Sequence, residues 1–342
     1  MSRVFGASSN RWINKRNFKN YLITWLGNLL QVGPALGDVK FLATADSTWE
    51  DNLLYCGVPS SDIFHTLETG EDALTGSQHD VLCVCPGSYD VDTQVNWDKS
   101  WTHMVGLGGP PLLSEYTIPN ATIYTDSTSV ATVMYLTGHY CQFHYAGISN
   151  NGANAGCLSA VYINGYGNTF KWFDMIGNMN STQSAVEAAA SVYFGASMAN
   201  CLFEDCNIGS NAWATRTAAK SGQIYFPGTS GGGGPSNTTL RRCNILSRAE
   251  TNTICMVELP ANNCCARGWL FDQCYFDNFW VNHGGTLNAA FYDACGTTHN
   301  IVLRNCSSHG IARWYTADNG CIFTAQANSQ SAGGISVEAT GD

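Results

Sequence analysis

The sequence predicts an all-β chain wound as a parallel β-solenoid, preceded by a short N-terminal helix and a basic arm. Two repeated motifs and the composition predict it. The first motif reads Cys201, Phe203, Glu204-Asp205, Cys206, Ile208. It returns as Thr238, Leu240, Arg241-Arg242, Cys243, Ile245, then as Trp269, Phe271, Asp272-Gln273, Cys274, Phe276, and then as Ile301, Leu303, Arg304-Asn305, Cys306, Ser308. Looser copies are read at Phe170, Trp172, Phe173-Asp174, Met175 and at Leu136, Gly138, Cys141, Phe143. The second motif is Val161-Tyr162-Ile163, Val192-Tyr193-Phe194, Ile224-Tyr225-Phe226, Met256-Val257, Ala290-Phe291-Tyr292 and Ile322-Phe323-Thr324. Both recur at roughly 32 residues, the sign of a stacked repeat. The one longer step holds Gly231 to Gly234 and Pro235, a loop insertion. As for composition, only 12% of the 342 residues are charged and 12% are aromatic, so the chain is not disordered.

Taken in chain order, the segments separate as 1–38, 39–77 and 78–342. The first 30 residues carry Arg3, Arg11, Lys15, Arg16 and Lys19 and no acid, although the whole chain has a net charge of −10. Such asymmetry marks an interaction arm. Within it, Phe18, Tyr21, Leu22, Trp25, Leu26 and Leu29 fall on one helical face, expected to cap the open apolar end of the solenoid or to serve in docking. A signal peptide is not expected, because Thr24 and Asn28 interrupt the apolar stretch and no small-residue cleavage site follows. Residues 39–77 carry no assignable pattern. Val81 to Tyr89 reads as the first solenoid strand and turn, and Trp101 to Gly109 as the next strand. No apolar run reaches the roughly 18–20 residues of a membrane-spanning helix. The acidic balance argues against coating nucleic acid.

Within each first motif the apolar residues alternate, as a strand requires. A polar pair then turns the chain through a corner before the inward anchor. One coil cannot bury its own inner face, so coils stack. Stacking brings Glu204, Arg241, Asp272 and Arg304 onto neighbouring rungs about 4.8 Å apart, where alternating charge forms an ion-pair ladder. The fifteen cysteines form no small-domain disulfide framework, and Cys83-x-Cys85 and Cys264-Cys265 lack zinc-finger spacing. Inward-facing, mainly free thiols are expected. Alternating apolar residues, a polar pair and an inward cysteine resemble the right-handed parallel β-helix of the pectin-lyase-like superfamily, over about residues 78–337.

That resemblance implies a search for polysaccharide chemistry. The carbohydrate-site residues would be Asp174, Glu204 and Asp205, with Asp174 and Asp205 read at one corner position on consecutive coils, within the spacing of paired glycosidase carboxylates. Exposed turn residues are the competing reading. His283-Gly284-Gly285, His309-Gly310 and Arg313 resemble polygalacturonase elements, without that family's acidic pattern; surface loop histidines are expected there. Sequons at Asn120, Asn180 and Asn237 carry meaning only on a secretory route. The glycine run lacks the Lys-Ser/Thr of a phosphate loop. No catalytic residue, cofactor or metal is assigned, and a non-enzymatic protein is expected.

The opening, from Ser2-Arg3-Val4-Phe5-Gly6 through the Trp12 to Trp25 segment, resembles β-helical structural proteins of tailed bacteriophages, of the capsid cement or decoration type. The resemblance implies a virion protein made in the host cytoplasm that docks on and stabilises the shell. Its partners would be the major capsid protein and itself as a homotrimer, with no membrane and no nucleic acid. Arg3, Arg11, Trp12, Lys15, Arg16, Lys19 and Trp25 would form the docking foot, since aromatic and arginine side chains suit an interface core. A tailspike-type glycan-binding or polysaccharide-degrading receptor protein is the alternative. A secreted pectate-lyase-like enzyme comes third.

Overall fold

A computed structural model describes residues 15–108, 121–177, 179, 181–186, 188–210, 222–227, 234–249, 254–261, 264–279, 286–295, 301–316, 322–325, 328–331 and 334–336. The chain is a right-handed parallel β-helix of three sheets, with eleven, ten and seven strands. The first sheet runs from Ile63–Phe64 and Val39–Leu42 through Val81–Val84 to Ile322–Ala325. The second starts at Gly87–Asp90, the third at Val95–Trp97. Among the described residues only Asn328–Ser331 and Gly334–Ser336 pair antiparallel.

The inward columns follow the sequence alternation. Leu82, Met104, Phe143, Phe170, Phe203, Leu240, Phe271 and Leu303 stack in register, all fully buried. The Phe143, Phe170 and Phe203 rings lie 4.8 and 4.9 Å apart, nearly parallel. Beside them Cys206, Cys243, Cys274 and Cys306 form a second buried column. Each thiol donates to a backbone carbonyl of the preceding coil: those of Phe170, Phe203, Leu240 and Phe271, at 3.3 to 3.5 Å. None of the fourteen described cysteines is in a disulfide.

One left-handed residue makes the turn from the first sheet to the second. Tyr145, Trp172, Asp205, Arg242, Gln273 and Asn305 have φ between 51° and 61°. The next residue points inward: Ala146, Phe173, then the four cysteines. This corrects the two looser copies. Ala146 and Phe173, not Cys141 and Met175, hold the anchor. Without a cysteine to mark it, the motif had been set two residues or more from its true register. Phe170 pairs with Phe203, and Asp174 pairs with Asn207 rather than matching Asp205.

The expected charge ladder is present. Lys171, Glu204, Arg241, Asp272 and Arg304 occupy one outward row in register. Lys171 contacts Glu204 at 3.1 Å, Arg241 contacts Asp272 at 3.5 Å, and Arg304 grips both Asp272 oxygens at 2.8 and 2.9 Å.

Helix α1, Lys15–Leu29, corrects a second expectation. Phe18, Leu22, Leu26 and Leu30 are buried, not over the open end but on the outer flank of the first sheet. They cover Phe41, Cys83, Cys85, Val105 and Leu107, whose chain neighbours Leu42, Leu82, Val84 and Met104 face the solenoid interior. Strand Val81–Val84 is thus buried on both faces, and its sequence is an unbroken apolar run. Segment 39–77 holds helix α2, Thr48–Tyr55, and helix α3, Leu67–Asp72. It is α3 that lies at the interior: Leu67 and the following Leu74 join the main core. No helix among the described residues is long and apolar enough to cross a membrane.

Candidate functional site

The outer face of the second sheet carries the site. One outward row runs Ser88, Thr122, Gly147, Asp174, Asn207, Asn244, Tyr275, Ser307. Tyr124, Ser149, Ile176, Gly209, Leu246, Asp277 and His309 lie on the row beside it. At its N-terminal half this face sinks into a groove of about 400 Å³. Ser88, Thr122, Tyr124, Asp126, Ser149, Asn151, Asp174 and Met179 line it. Gly147, between Thr122 and Asp174, contributes no side chain, which lowers the floor. One wall is tied down through Gln183, whose amide nitrogen donates to the Asn150 carbonyl at 3.1 Å and whose amide oxygen accepts from the Met179 backbone at 2.7 Å.

Asp174 is the notable group. Its side chain is nearly buried, at 3% exposure, yet it lines the groove. Burial pushes its pKa up to about 7, against the opposing pull of a hydrogen bond from Asn207 Nδ2 at 2.8 Å. Asn207 Oδ1 in turn accepts from Asn244 Nδ2 at 2.9 Å, so an amide chain orients the carboxyl. At neutral pH a large share of Asp174 holds its proton, unlike an ordinary aspartate. Burial, then Asp90 and Asp126, raises the pKa of Tyr124. The described residues lining the groove include two acids and neither lysine nor arginine.

The structure separates the three residues that the sequence grouped. Arg242 binds both oxygens of Asp205 at 2.8 Å and reaches Glu204 at 3.0 Å, and Lys171 and Arg241 also hold Glu204. Partial burial would raise the Glu204 pKa, but the hydrogen bonds and charges of Lys171 and Arg242 together lower it. Glu204 and Asp205 belong to the charge ladder and the corner, whereas Asp174 faces the groove. Tyr124 and Asp126 were missed, because strand Ala121–Thr125 lies outside both repeat motifs.

His309 is not in a loop. It lies on strand Ser307–His309, with Nδ1 2.8 Å from Asp277 Oδ1. Asp277 sits three coils and His309 four coils from Asp174, roughly 14 and 19 Å along the same face. His283 lies outside the described residues, as do Arg3, Arg11 and Trp12; of Lys15, Arg16 and Lys19 only the helical backbone is described. Trp25 is half-buried and packs against the cluster under α1.

No protein-family model matches the chain, and no curated protein matches its sequence. Solved structures do match. A mutant pectin methylesterase in complex with a hexasaccharide has 11% identity and a TM-score of 0.55, covering 86% of this chain and 89% of its own. A second pectin methylesterase–hexasaccharide complex gives 0.54 with the same identity and coverage. An alginate lyase from Paenibacillus sp. gives 0.50 at 10% identity, covering 81% and 80%. At such identities the likeness shows the fold. It also corrects the expectation of a non-enzymatic protein: these structures sharing the architecture are enzymes, and that expectation is not carried further.

Proposed function

We propose that the chain binds a neutral polysaccharide across the groove of the second sheet and cleaves it there, with Asp174 as general acid. The observation that carries the reading is a carboxyl that lines an open groove and retains its proton up to about pH 7. A general acid needs a proton to give at working pH, and burial is how a fold supplies one from an aspartate. Asp174 would protonate the glycosidic oxygen as the bond breaks. Asp126, exposed on the same groove, would take the proton of the attacking water. Tyr124, Ser88, Thr122 and Ser149 offer a ring and hydroxyls of the kind that contact sugars.

Two acids without a lysine or arginine on the described lining, and a net charge of −10, disfavour a polyanionic substrate. The proposed substrate is therefore a neutral glycan, although the solved structures of similar fold include a pectin methylesterase and an alginate lyase. The reading fits the tailspike-type alternative drawn from the sequence. Structures of similar fold give a capsid-decoration role no support.

The test is reducing-end release from a panel of neutral polysaccharides, with pectin and alginate alongside. Asp174→Asn should keep binding and lose at least a hundredfold in turnover. A variant as active as the wild type, or cleavage confined to the uronates, would overturn the proposal.

A further inference from the structure

Three cysteines near the C-terminal end converge in a way the other described thiols do not. Cys264 and Cys265 follow the third-sheet strand Val257–Leu259, and Cys295 follows Phe291–Asp293 on the next coil. Their three Sγ atoms all lie within 4.8 Å of one another, and Cys265 Sγ is 3.8 Å from Cys295 Sγ. All three are buried in the main core, at 0 to 1% exposure.

The backbone on each side is fixed. Cys264 N–H donates to the Ala261 carbonyl, Ala266 N–H to that of Pro235, Ala294 N–H to that of Leu259, and Cys295 N–H to Asp293 Oδ1. Gly234 lies against Cys265, where a Cβ would come within 2.8 Å of its Cα. The cluster is therefore preorganised by the coil rather than gathered by a flexible loop.

The column Cys206, Cys243, Cys274, Cys306 is the internal contrast. Its sulfurs succeed one another along the solenoid axis and donate to carbonyls. A line of thiols cannot surround an ion, whereas a triangle can. Metal–sulfur bonds of about 2.3 Å place thiolates around one ion roughly 3.8–4.0 Å apart. The 3.8 Å separation fits that spacing and is far from a disulfide bond of about 2.05 Å.

We propose that Cys264, Cys265 and Cys295 form a three-sulfur site for one soft monovalent d10 cation, Cu(I). Soft sulfur donors select soft ions. The described residues add no fourth histidine, cysteine or carboxylate donor to the group. An all-sulfur group of this kind matches the preference of Cu(I) for soft ligands. Loading forms three copper–sulfur bonds and releases thiol protons to solvent, with no change in oxidation state. Because the site is buried, it fills as the coils close.

The test uses the full chain, produced in copper-supplemented medium and separately titrated without oxygen with Cu(I) held by a competing chelator. One copper per chain with three sulfur neighbours by X-ray absorption is the expected result. Cys264→Ala and Cys295→Ala should each lose the metal, and Cys56→Ala, outside the cluster, should keep it. If the alanine variants do not fold, the sulfur count in the wild type decides. No copper retained by either route, fewer than three sulfur neighbours, or uptake undiminished in folded alanine variants would overturn the proposal. So would a disulfide between Cys265 and Cys295 in the anaerobically purified protein.

Discussion

Replacing Asp174 with asparagine should stabilise the protein at alkaline pH and leave it unchanged in acid. The wild-type carboxyl is buried and its pKa rises from 3.8 to about 7 on folding. A folded pKa above the unfolded one means a stability contribution that is complete below about pH 4. It is lost as the pH rises through about 7. The shift is about three units, and each unit is worth about 1.4 kcal/mol, so the full loss is on the order of 4 kcal/mol. Asparagine keeps the shape and can still accept from Asn207, but it never ionises. The stability gap should therefore open between about pH 4 and pH 7 and stay level above. Urea unfolding of both proteins at about pH 4, 6 and 8 measures it. Glu71, also raised to about 7 by burial, is common to both and cancels in the difference. A gap that does not change with pH, or a wild type more stable than the variant at pH 8, would refute the reasoning.

Three further outcomes are expected. Burial first, and Lys171 second, lower the pKa of His144 from 6.5 to about 3. Its contribution is thus intact above about pH 6.5 and lost as the pH falls toward 3, and His144→Gln should flatten that loss by about 2–3 kcal/mol at pH 4.5 in urea titrations. Phe203→Ala opens the stacked column between Phe170 and Leu240 and should cost about 3–5 kcal/mol in chemical denaturation. Arg241→Ala, by contrast, removes a half-exposed ladder member and should cost under about 1 kcal/mol, less still in high salt.

The inward columns were legible because strand side chains alternate and the cysteine anchor repeats. Where Ala146 and Phe173 replace that cysteine, the register slipped, and Asp174 was placed at a corner beside Asp205 instead of on the groove. The seat of α1 was misread for a different reason. An apolar helical face fits an open end and a sheet flank equally well; the deciding signal was the unbroken apolar run Val81 to Cys85, which marks a strand buried on both faces. The Asp277–His309 pair was not read, because the two residues directly follow the last positions of the first motif, Phe276 and Ser308, where the repeat pattern stops. Tyr124, on strand Ala121–Thr125, and Asp126, just after it, come before the repeat becomes regular.

The most direct test of the groove is a crystal structure of the Asp174→Asn variant soaked with oligosaccharides from the neutral glycan the wild type cleaves. The account predicts a sugar chain across the groove, packed on Tyr124, with a glycosidic oxygen about 3 Å from the residue-174 amide. A glycan seated instead on the exposed strip of Trp101, Tyr140 and Tyr166, with the groove empty, would contradict it.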